Sequence, residues 1–281
     1  MLRVVGGVLV REAAGPVFGA DGPLLEGRAV GPAGHRGHGA GAGVALLAPF
    51  EVPEAEQIPE EFYRAPFPAD FRKNASGFVD LTGHAHPSYR PANELETRLT
   101  DMSGPYMRHI EKTVRGFSTT AAVYMRFSGR LDKATLVGAD EGRTIHFVDV
   151  SQGAHRGEAV PFDFDYRQSR GKFICDNRLS VRPIDGYPLR PATAYAVFVT
   201  DGVRGKEGGP VMADGDFRMM LEATAPGAAH LKAAYEAMAP LREYLAGAGI
   251  APATVVTGTV FTTDDIHAIS RGMARAIEEG D

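Results

Sequence analysis

The chain has 281 residues, of which 44% are hydrophobic, so it is long enough to bury a sizeable core in one large domain or two modest ones. Its 30 basic and 35 acidic residues give a formal net charge of -5 and form no long block of either sign. This balance argues against nucleic acid or an anionic membrane surface as a partner, and no apolar run reaches the roughly 18 residues that a membrane helix requires.

Residues 1–57 are rich in Gly, Ala and Pro and show no sustained hydrophobic period. They are predicted to be a low-complexity, disordered N-terminal arm. Two apolar stretches in the arm, 2–10 and 39–50, have the length of a signal-peptide core, but neither is followed by a convincing cleavage site. An export signal is therefore not evident in this part of the sequence.

Residues 58–115 contain many Pro and Gly turn signals, which predict an extended lead-in with a short helix. The helix falls within 93–112, either as one segment or as two short ones broken at Gly104-Pro105. No periodic apolar face marks the rest of this region.

From residue 116 to residue 214 the hydrophobic period becomes two, which is typical of half-buried strands. The clearest strand follows Val160, where Phe162, Phe164 and Tyr166 face away from the acidic residues between them. The other strands are predicted at 121–128, 143–150, 178–183 and 194–200. Because turns recur every 8 to 15 residues without a helical crossover, the pattern favours an antiparallel β-sandwich.

After residue 214 the period changes to that of a helix. Leu231, Tyr235, Met238 and Leu245 share one helical face, and Pro240 should kink or divide the segment. Residues 254–263 then predict a strand that returns to complete the sandwich, and the following residues begin a last helix. The predicted region 215–281 thus contains a helical segment, a strand and a terminal helix.

A serine nucleophile is not predicted. Ser118, in the stretch GFSTT, has threonine in place of the second glycine of a nucleophile elbow, and a strand rather than a helix follows it. Ser103 and Ser151 lack the motif as well. The single cysteine, Cys175, has no histidine beside it in KFICDNRL, so it is predicted to be a small buried hydrophobe.

The best metal candidates are His84 and His86, since a His-x-His pair on an extended segment could supply two ligands to zinc or copper. A third ligand, such as His109 or Glu94, would have to arrive through folding, and two solvated loop histidines are the competing interpretation. No metal or other cofactor is predicted on this basis.

Two further candidate sites have simpler interpretations. Asp163 and Asp165 could form a carboxylate pair, but they lie on the predicted solvent face of an amphipathic strand. No glycine-rich phosphate loop is present, because Gly205, Gly208 and Gly209 do not precede a helix.

Two stretches resemble the bacterial Ig-like domains of surface proteins: FSGRLDKATL at 127–136 and GYPLRPATAYAVFVTDGVRGKEGGPV at 186–211. The resemblance implies that Pro191 and Thr193 shape the turn into the strand of Tyr195, and that Asp201-Gly202 opens the next loop. The expected fold class is therefore mainly β: an Ig-like antiparallel β-sandwich at 116–214 with a Pro/Gly-rich lead-in and two C-terminal helices.

A longer resemblance covers about residues 58–270. FYRAPFPADFR at 62–72, RGFSTTAAVYMRFSGRLD at 115–132 and TGTVFTTDD at 257–265 are similar to the N-terminal, non-catalytic region of secreted bacterial lipases of the virulence-factor type. In such proteins an α/β-hydrolase domain with the catalytic triad follows this region. The resemblance therefore implies no catalytic residue in this chain.

The expected function is that of a non-catalytic Ig-like accessory, structural or binding module of a bacterial envelope or secreted protein. Its expected location is extracellular or in the cell envelope, and its expected partner is a hydrolase domain or an envelope component. The alternative is a part of a secreted lipase or esterase whose catalytic domain lies beyond this chain. Tyr124, Arg126 and His146, on predicted outer strand faces, are either contacts for a partner or solvated strand surface.

Overall fold

A computed structural model of the chain describes residues 2–5, 8–11, 43–53, 62–85, 103–139 and 141–280. The chain divides into two units, 1–42 and 43–281. In the first unit, strand β1 (Leu2–Val5) pairs antiparallel with strand β2 (Val8–Arg11). The rest of the predicted arm in this unit, and His86, Glu94 and residues 54–61, lie outside the described residues.

The second unit combines strands and helices. Its strands are β3 (Leu46–Ala48), β4 (Val123–Arg126), β5 (Ile145–Asp149), β6 (Phe162–Arg167), β7 (Arg178–Pro183), β8 (Ala194–Thr200), β9 (Val211–Ala213) and β10 (Val255–Thr262). Its α-helices are α1 (Ser103–Thr113), α2 (Gly215–Leu221), α3 (Ala229–Ala237), α4 (Ala239–Ala248) and α5 (Ala268–Glu279). Short 3-10 turns occupy Phe62–Arg64, Lys133–Thr135 and Pro252–Thr254.

Two antiparallel sheets form the centre of this unit. One has the strand order β4-β7-β6 and the other β10-β8-β5. Alternate residues of both sheets meet in one buried core, which includes Val123, Met125, Ile145, Phe147, Leu179, Val181, Val197 and Val199. The period-two pattern therefore predicted these strands and their antiparallel pairing correctly.

The second face of the β10-β8-β5 sheet is also buried. Phe198 and Val148 point away from the shared core and pack against helices α2, α3 and α4, through residues such as Phe217, Leu241 and Leu245. The expected fold class needs correction here, because a full helical layer covers the face of this sheet that was predicted to be exposed to solvent. The apolar run of β8, AYAVFVT, is typical of a strand buried on both faces.

The helical part contains one helix that was not predicted. Helix α2 was missed: Asp214 caps it by accepting a hydrogen bond from the backbone N–H of Asp216. The helical segment predicted at 227–249 is divided beside Pro240, as expected: two helices meet at Met238, and Pro240 lies in the first turn of α4, where its missing N–H breaks no helical bond.

Residues 43–53 and 62–85 belong to the folded unit, which corrects the predicted boundaries of the arm and the lead-in. Strand β3 runs parallel to β9, and Phe50 is buried under the helices. Gly43 and Gly209 allow two backbone segments to pass close to each other. A Cβ on Gly43 would lie 2.2 Å from the Glu207 carbonyl oxygen, and one on Gly209 would lie 2.1 Å from that of Val44.

Helix α5 differs from the other C-terminal helices because none of its residues is buried. Ile269, Met273 and Ile277, with Ile266 just before the helix, are 55–79% exposed and recur at spacings of three and four residues. They form a single apolar stripe, called the α5 stripe below. Among the described residues, no helix is both long and apolar enough to cross a membrane.

The start of β8 is tied to the preceding loop by Tyr195. Its ring is 2% exposed, and its hydroxyl accepts a hydrogen bond of 2.9 Å from the backbone N–H of Arg190. Removing the hydroxyl leaves this partly buried N–H without its acceptor, which costs more than the bond itself contributes.

We expect Tyr195→Phe to lower the free energy of unfolding by about 1–2 kcal/mol in urea titrations. Tyr187→Phe is the matched control, since the ring of Tyr187 is 57% exposed and lies in the same loop. The control should change stability by less than about 0.5 kcal/mol. Equal losses in the two variants would contradict the role assigned to the Tyr195 hydroxyl.

Candidate functional site

His84 lies in an aromatic cluster rather than on an open loop. Its ring packs edge-on against Phe62 with 4.8 Å between the ring centroids, and its Nε2 lies 3.5 Å from the Tyr63 hydroxyl. His86 and Glu94 are outside the described residues, and His109 lies on α1. Within the described ranges, no three His, Cys, Asp or Glu side chains are grouped so as to hold a metal ion.

The three serines occupy structural positions. The Ser118 hydroxyl accepts from the backbone N–H of Thr120 at 3.2 Å and bonds its hydroxyl at 3.1 Å, which closes a local turn before β4. Ser103 is the first residue of α1. Ser151 donates to the Asp149 carboxylate at 2.5 Å.

Asp149 is the most deeply buried carboxylate of this region, with a side chain 0% exposed. Arg190 approaches it to 2.5 Å through Nη2 and reaches Glu158 at 3.1 Å through Nη1. Glu158 also pairs with His155 at 2.8 Å, and these two partners lower the pKa of its carboxyl. The hydrogen bond to Asp149 raises the pKa of Arg190, so the guanidinium stays charged and ties the end of β5 to the loop before β8.

The outer-face candidates are packed rather than solvated. His146 stacks on Phe198 with 4.5 Å between parallel rings, and Phe198 in turn contacts Tyr244 of α4. Tyr124 packs edge-on against Tyr63. Arg126 pairs with Asp176 at 3.0 Å. These side chains are packed because the helical layer and the 62–85 segment cover strand faces that the period-two pattern predicts to be exposed to solvent.

The carboxylates of β6 are surface ion-pair partners. Asp165 pairs with Arg167 at 2.5 Å, and Asp163 lies 3.8 Å from Arg182. These side chains are 42–63% exposed, so the prediction of a solvated face is confirmed for them. Phe164, predicted on the buried face, is 38% exposed near the edge of its sheet.

An open cavity of about 100 Å³ lies between the 62–85 segment and the loop 168–176. Aromatic rings of Phe62, Tyr63 and Phe173 line it, together with the cations Arg170 and Lys172. Cys175 and Asp176 also contribute to its wall. Cys175 is therefore only half-buried at the edge of a cavity, and burial raises the pKa of its thiol while Arg126 and Arg178 oppose the shift.

Three arginines lie in register across the sheet β4-β7-β6, and two of them, Arg126 and Arg178, lie close to Cys175 of this cavity. Arg126 of β4 is the register partner of Arg178 of β7, which is also the partner of Arg167 of β6. Cross-strand partners share one face of a sheet, so the three form a row, called the arginine rung below. Arg178 donates to the carbonyl oxygens of Ser169 and Cys175, both at 3.0 Å, and so holds the cavity loop.

Sequence reasoning missed this site because its residues come from three strands and a loop without a hydrophobic period. The signal that could have found it is the register: once β4, β6 and β7 are paired, the arginines at their ends fall on one rung. Cys175 alone gave no such signal.

No family model and no curated protein matches the chain. One similar solved structure is the N-terminal part of the bacterial S-layer protein SbsC, at 14% sequence identity. The match covers 33% of this chain and 18% of that chain, with a TM-score of 0.21. Similarity at this level carries no argument about fold or function.

Arg190→Met should leave the Asp149 carboxylate buried without its cationic partner. We expect a loss of about 3 kcal/mol in the free energy of unfolding, since removing one member of a buried pair strands the other. Arg182→Met, at a surface pair on β7, is the control and should cost less than about 1 kcal/mol. Similar losses in both variants would show that the Asp149 pair behaves as a surface pair.

Burial and nearby Arg143 lower the pKa of His146 to about 4. The unfolded state, with an ordinary histidine pKa near 6.5, therefore binds the proton first, and stability falls as the pH drops from about 6.5 towards 4. We expect the wild type to lose at most about 1.4 kcal/mol per pH unit more than His146→Gln over this window, in urea titrations at several pH values. Parallel pH profiles would contradict a histidine held neutral against Phe198.

Proposed function

We propose that the chain is a non-catalytic, Ig-like accessory module of a bacterial envelope or secreted protein, which docks against a hydrolase domain. The observation that carries the docking role is the α5 stripe. Three large apolar side chains on one line of α5, with Ile266 just before it, are all more than half exposed, and such a line is typical of a helix that packs against another surface.

The strand order supports the Ig-like assignment. In an Ig sandwich the strands pair as A-B-E-D and C-F-G. If β4, β5, β6, β7, β8 and β10 are taken as B, C, D, E, F and G, the sheet β4-β7-β6 is B-E-D and the sheet β5-β8-β10 is C-F-G. An antiparallel bridge from Phe67 to Tyr124 stands where strand A would pair with strand B.

Tyr195 gives independent support. Many Ig-like domains carry a tyrosine near the start of strand F whose hydroxyl bonds to the backbone a few residues upstream. Tyr195 lies at the start of β8 and accepts from the N–H of Arg190, five residues earlier. The chain differs from a simple Ig domain by carrying α2, α3 and α4 between the strands assigned as F and G.

The charges of α5 favour docking by the stripe. Arg271 pairs with Asp265, and Arg275 is one further turn along the helix. At 100° per residue, both arginines lie on the side opposite Met273 and Ile277. The two arginines therefore lie outside the α5 stripe, and a protein partner can cover the stripe without burying either charge.

The first test is hydrolysis of p-nitrophenyl butyrate and octanoate by the purified chain. We expect no turnover above the buffer blank, because the Ser118 hydroxyl is engaged in a turn and His84 in an aromatic cluster. Turnover that Ser118→Ala or His84→Ala abolishes would overturn the non-catalytic assignment and favour a hydrolase.

The docking role is tested by co-expression with the hydrolase encoded nearest to this chain in the same genome. We expect the two to co-purify, and Ile269→Asp/Ile277→Asp to abolish the complex because it places two charges in the stripe. Arg275→Glu, on the opposite face of α5, should leave the complex intact. A complex that survives the double change, or a hydrolase that does not co-purify with the wild type, would contradict this docking surface.

A further inference from the structure

We propose that, when the hydrolase is absent, the α5 stripe is covered by the α5 stripe of a second copy of this chain, in an antiparallel two-fold pair. This proposal rests on the proposed function, because it takes the α5 stripe as the docking surface, and it adds a competitor for that surface. Docking of the hydrolase and pairing of two copies then exclude each other.

The α5 stripe is large for an apolar surface left in water. Ile269, Met273 and Ile277 are 65–79% exposed, and Ile266 just before the helix is 55% exposed. Together they expose on the order of 500 Å², which is near the upper end of the apolar patches found on monomers. Two such stripes face to face bury about 1,000 Å², the lower limit for a specific interface. The stripes alone therefore provide enough area for a weak dimer.

The spacing of the stripe makes it complementary to itself. Met273 lies four residues after Ile269 and four residues before Ile277, about 6 Å along the helix axis in each direction. If a two-fold axis passes beside Met273, each Ile269 meets Ile277 of the other copy, and the two Met273 side chains meet each other. Antiparallel helices also bring opposite ends of their macrodipoles together. Such an interface is isologous and closes after two copies.

The charges of α5 do not oppose this pairing. At 100° per residue, every charged residue of the helix lies at least about 120° from Met273 around the axis: Arg271, Arg275, Glu278 and Glu279. Ser270 and Ala276, which border the stripe on its two sides, are small and uncharged. Because two copies carry the same charges, a charged border would repel its own image. The neutral border lets one stripe meet another without contact between like charges.

The first measurement is the molar mass of the purified chain by sedimentation equilibrium, without the hydrolase. We expect a concentration-dependent equilibrium between monomer and dimer, with a dissociation constant on the order of 10 μM for an interface of this size. Arg275→Glu, on the opposite face of α5, is the control and should change this constant by less than about five-fold. A chain that stays monomeric up to about 500 μM would overturn the proposal.

Met273 tests the two-fold arrangement, because a residue on the axis meets its own copy. Met273→Lys and Met273→Glu each place two like charges together, and we expect either change to weaken the dimer at least about 100-fold. An equimolar mixture of the two variants pairs the introduced cation with the introduced carboxylate and should bind at least about ten-fold more tightly than either variant alone. Unchanged dimers in the single variants, or no recovery in the mixture, would overturn the paired stripe.

The side chain of Met273 is 65% exposed, so both variants should fold, which thermal unfolding verifies. If one does not, Ile269→Lys mixed with Ile277→Glu gives the same test, because these two positions meet across the pair.

The hydrolase of the co-purification experiment separates this proposal from the proposed function. We expect its addition to dissociate the dimer in proportion to the complex formed, since both need the α5 stripe. A chain that is monomeric alone but binds the hydrolase through the stripe overturns the dimer and leaves the proposed function standing. A stripe-dependent dimer that the hydrolase neither binds nor dissociates contradicts the proposed function and leaves the dimer standing.

Discussion

The rest of the second unit depends on β8, which is buried on both faces. Val197 and Val199 enter the core between the two sheets, while Ala196 and Phe198 lie under the helices. A strand in this position needs a neighbour on each edge for its backbone groups and a layer on each face for its side chains. Strands β5 and β10 supply the edges, the other sheet supplies one face, and α2, α3 and α4, which precede β10 in the chain, supply the second.

The polar contacts of Arg190 connect strand ends beside the apolar core. Its guanidinium neutralises the buried Asp149, its backbone N–H meets the Tyr195 hydroxyl, and its carbonyl oxygen accepts from Thr263 at 2.6 Å. One residue thus joins the end of β5, the start of β8 and the chain after β10. Such a pair adds little net stability over apolar packing, but it fixes which strand ends meet.

The sequence predicted the strands well because alternation is a local property, and Val123, Met125 and Phe147 needed no long-range information. It could not predict the helical layer on the outer face of β5, because a strand with one polar position on that face has the same pattern whether water or helices cover it. In the structure His146 stacks on Phe198, and Phe198 contacts Tyr244 of α4. Gly43 misled in the same way. Composition cannot distinguish a flexible segment from one whose backbone passes within contact distance of another, as Gly43 does beside Glu207.

The arginine rung follows from the register that the core imposes. A shift of β7 by one residue would turn Leu179 and Val181 out of the core, so the pairing of Arg126, Arg178 and Arg167 cannot relax by sliding the strands. The repulsion has to be met locally, by Asp165, Asp176 and the carbonyl oxygens of the loop 168–176. The loop that compensates the charge also forms the cavity wall, so the packing of an apolar core determines where a cationic site is built on the surface.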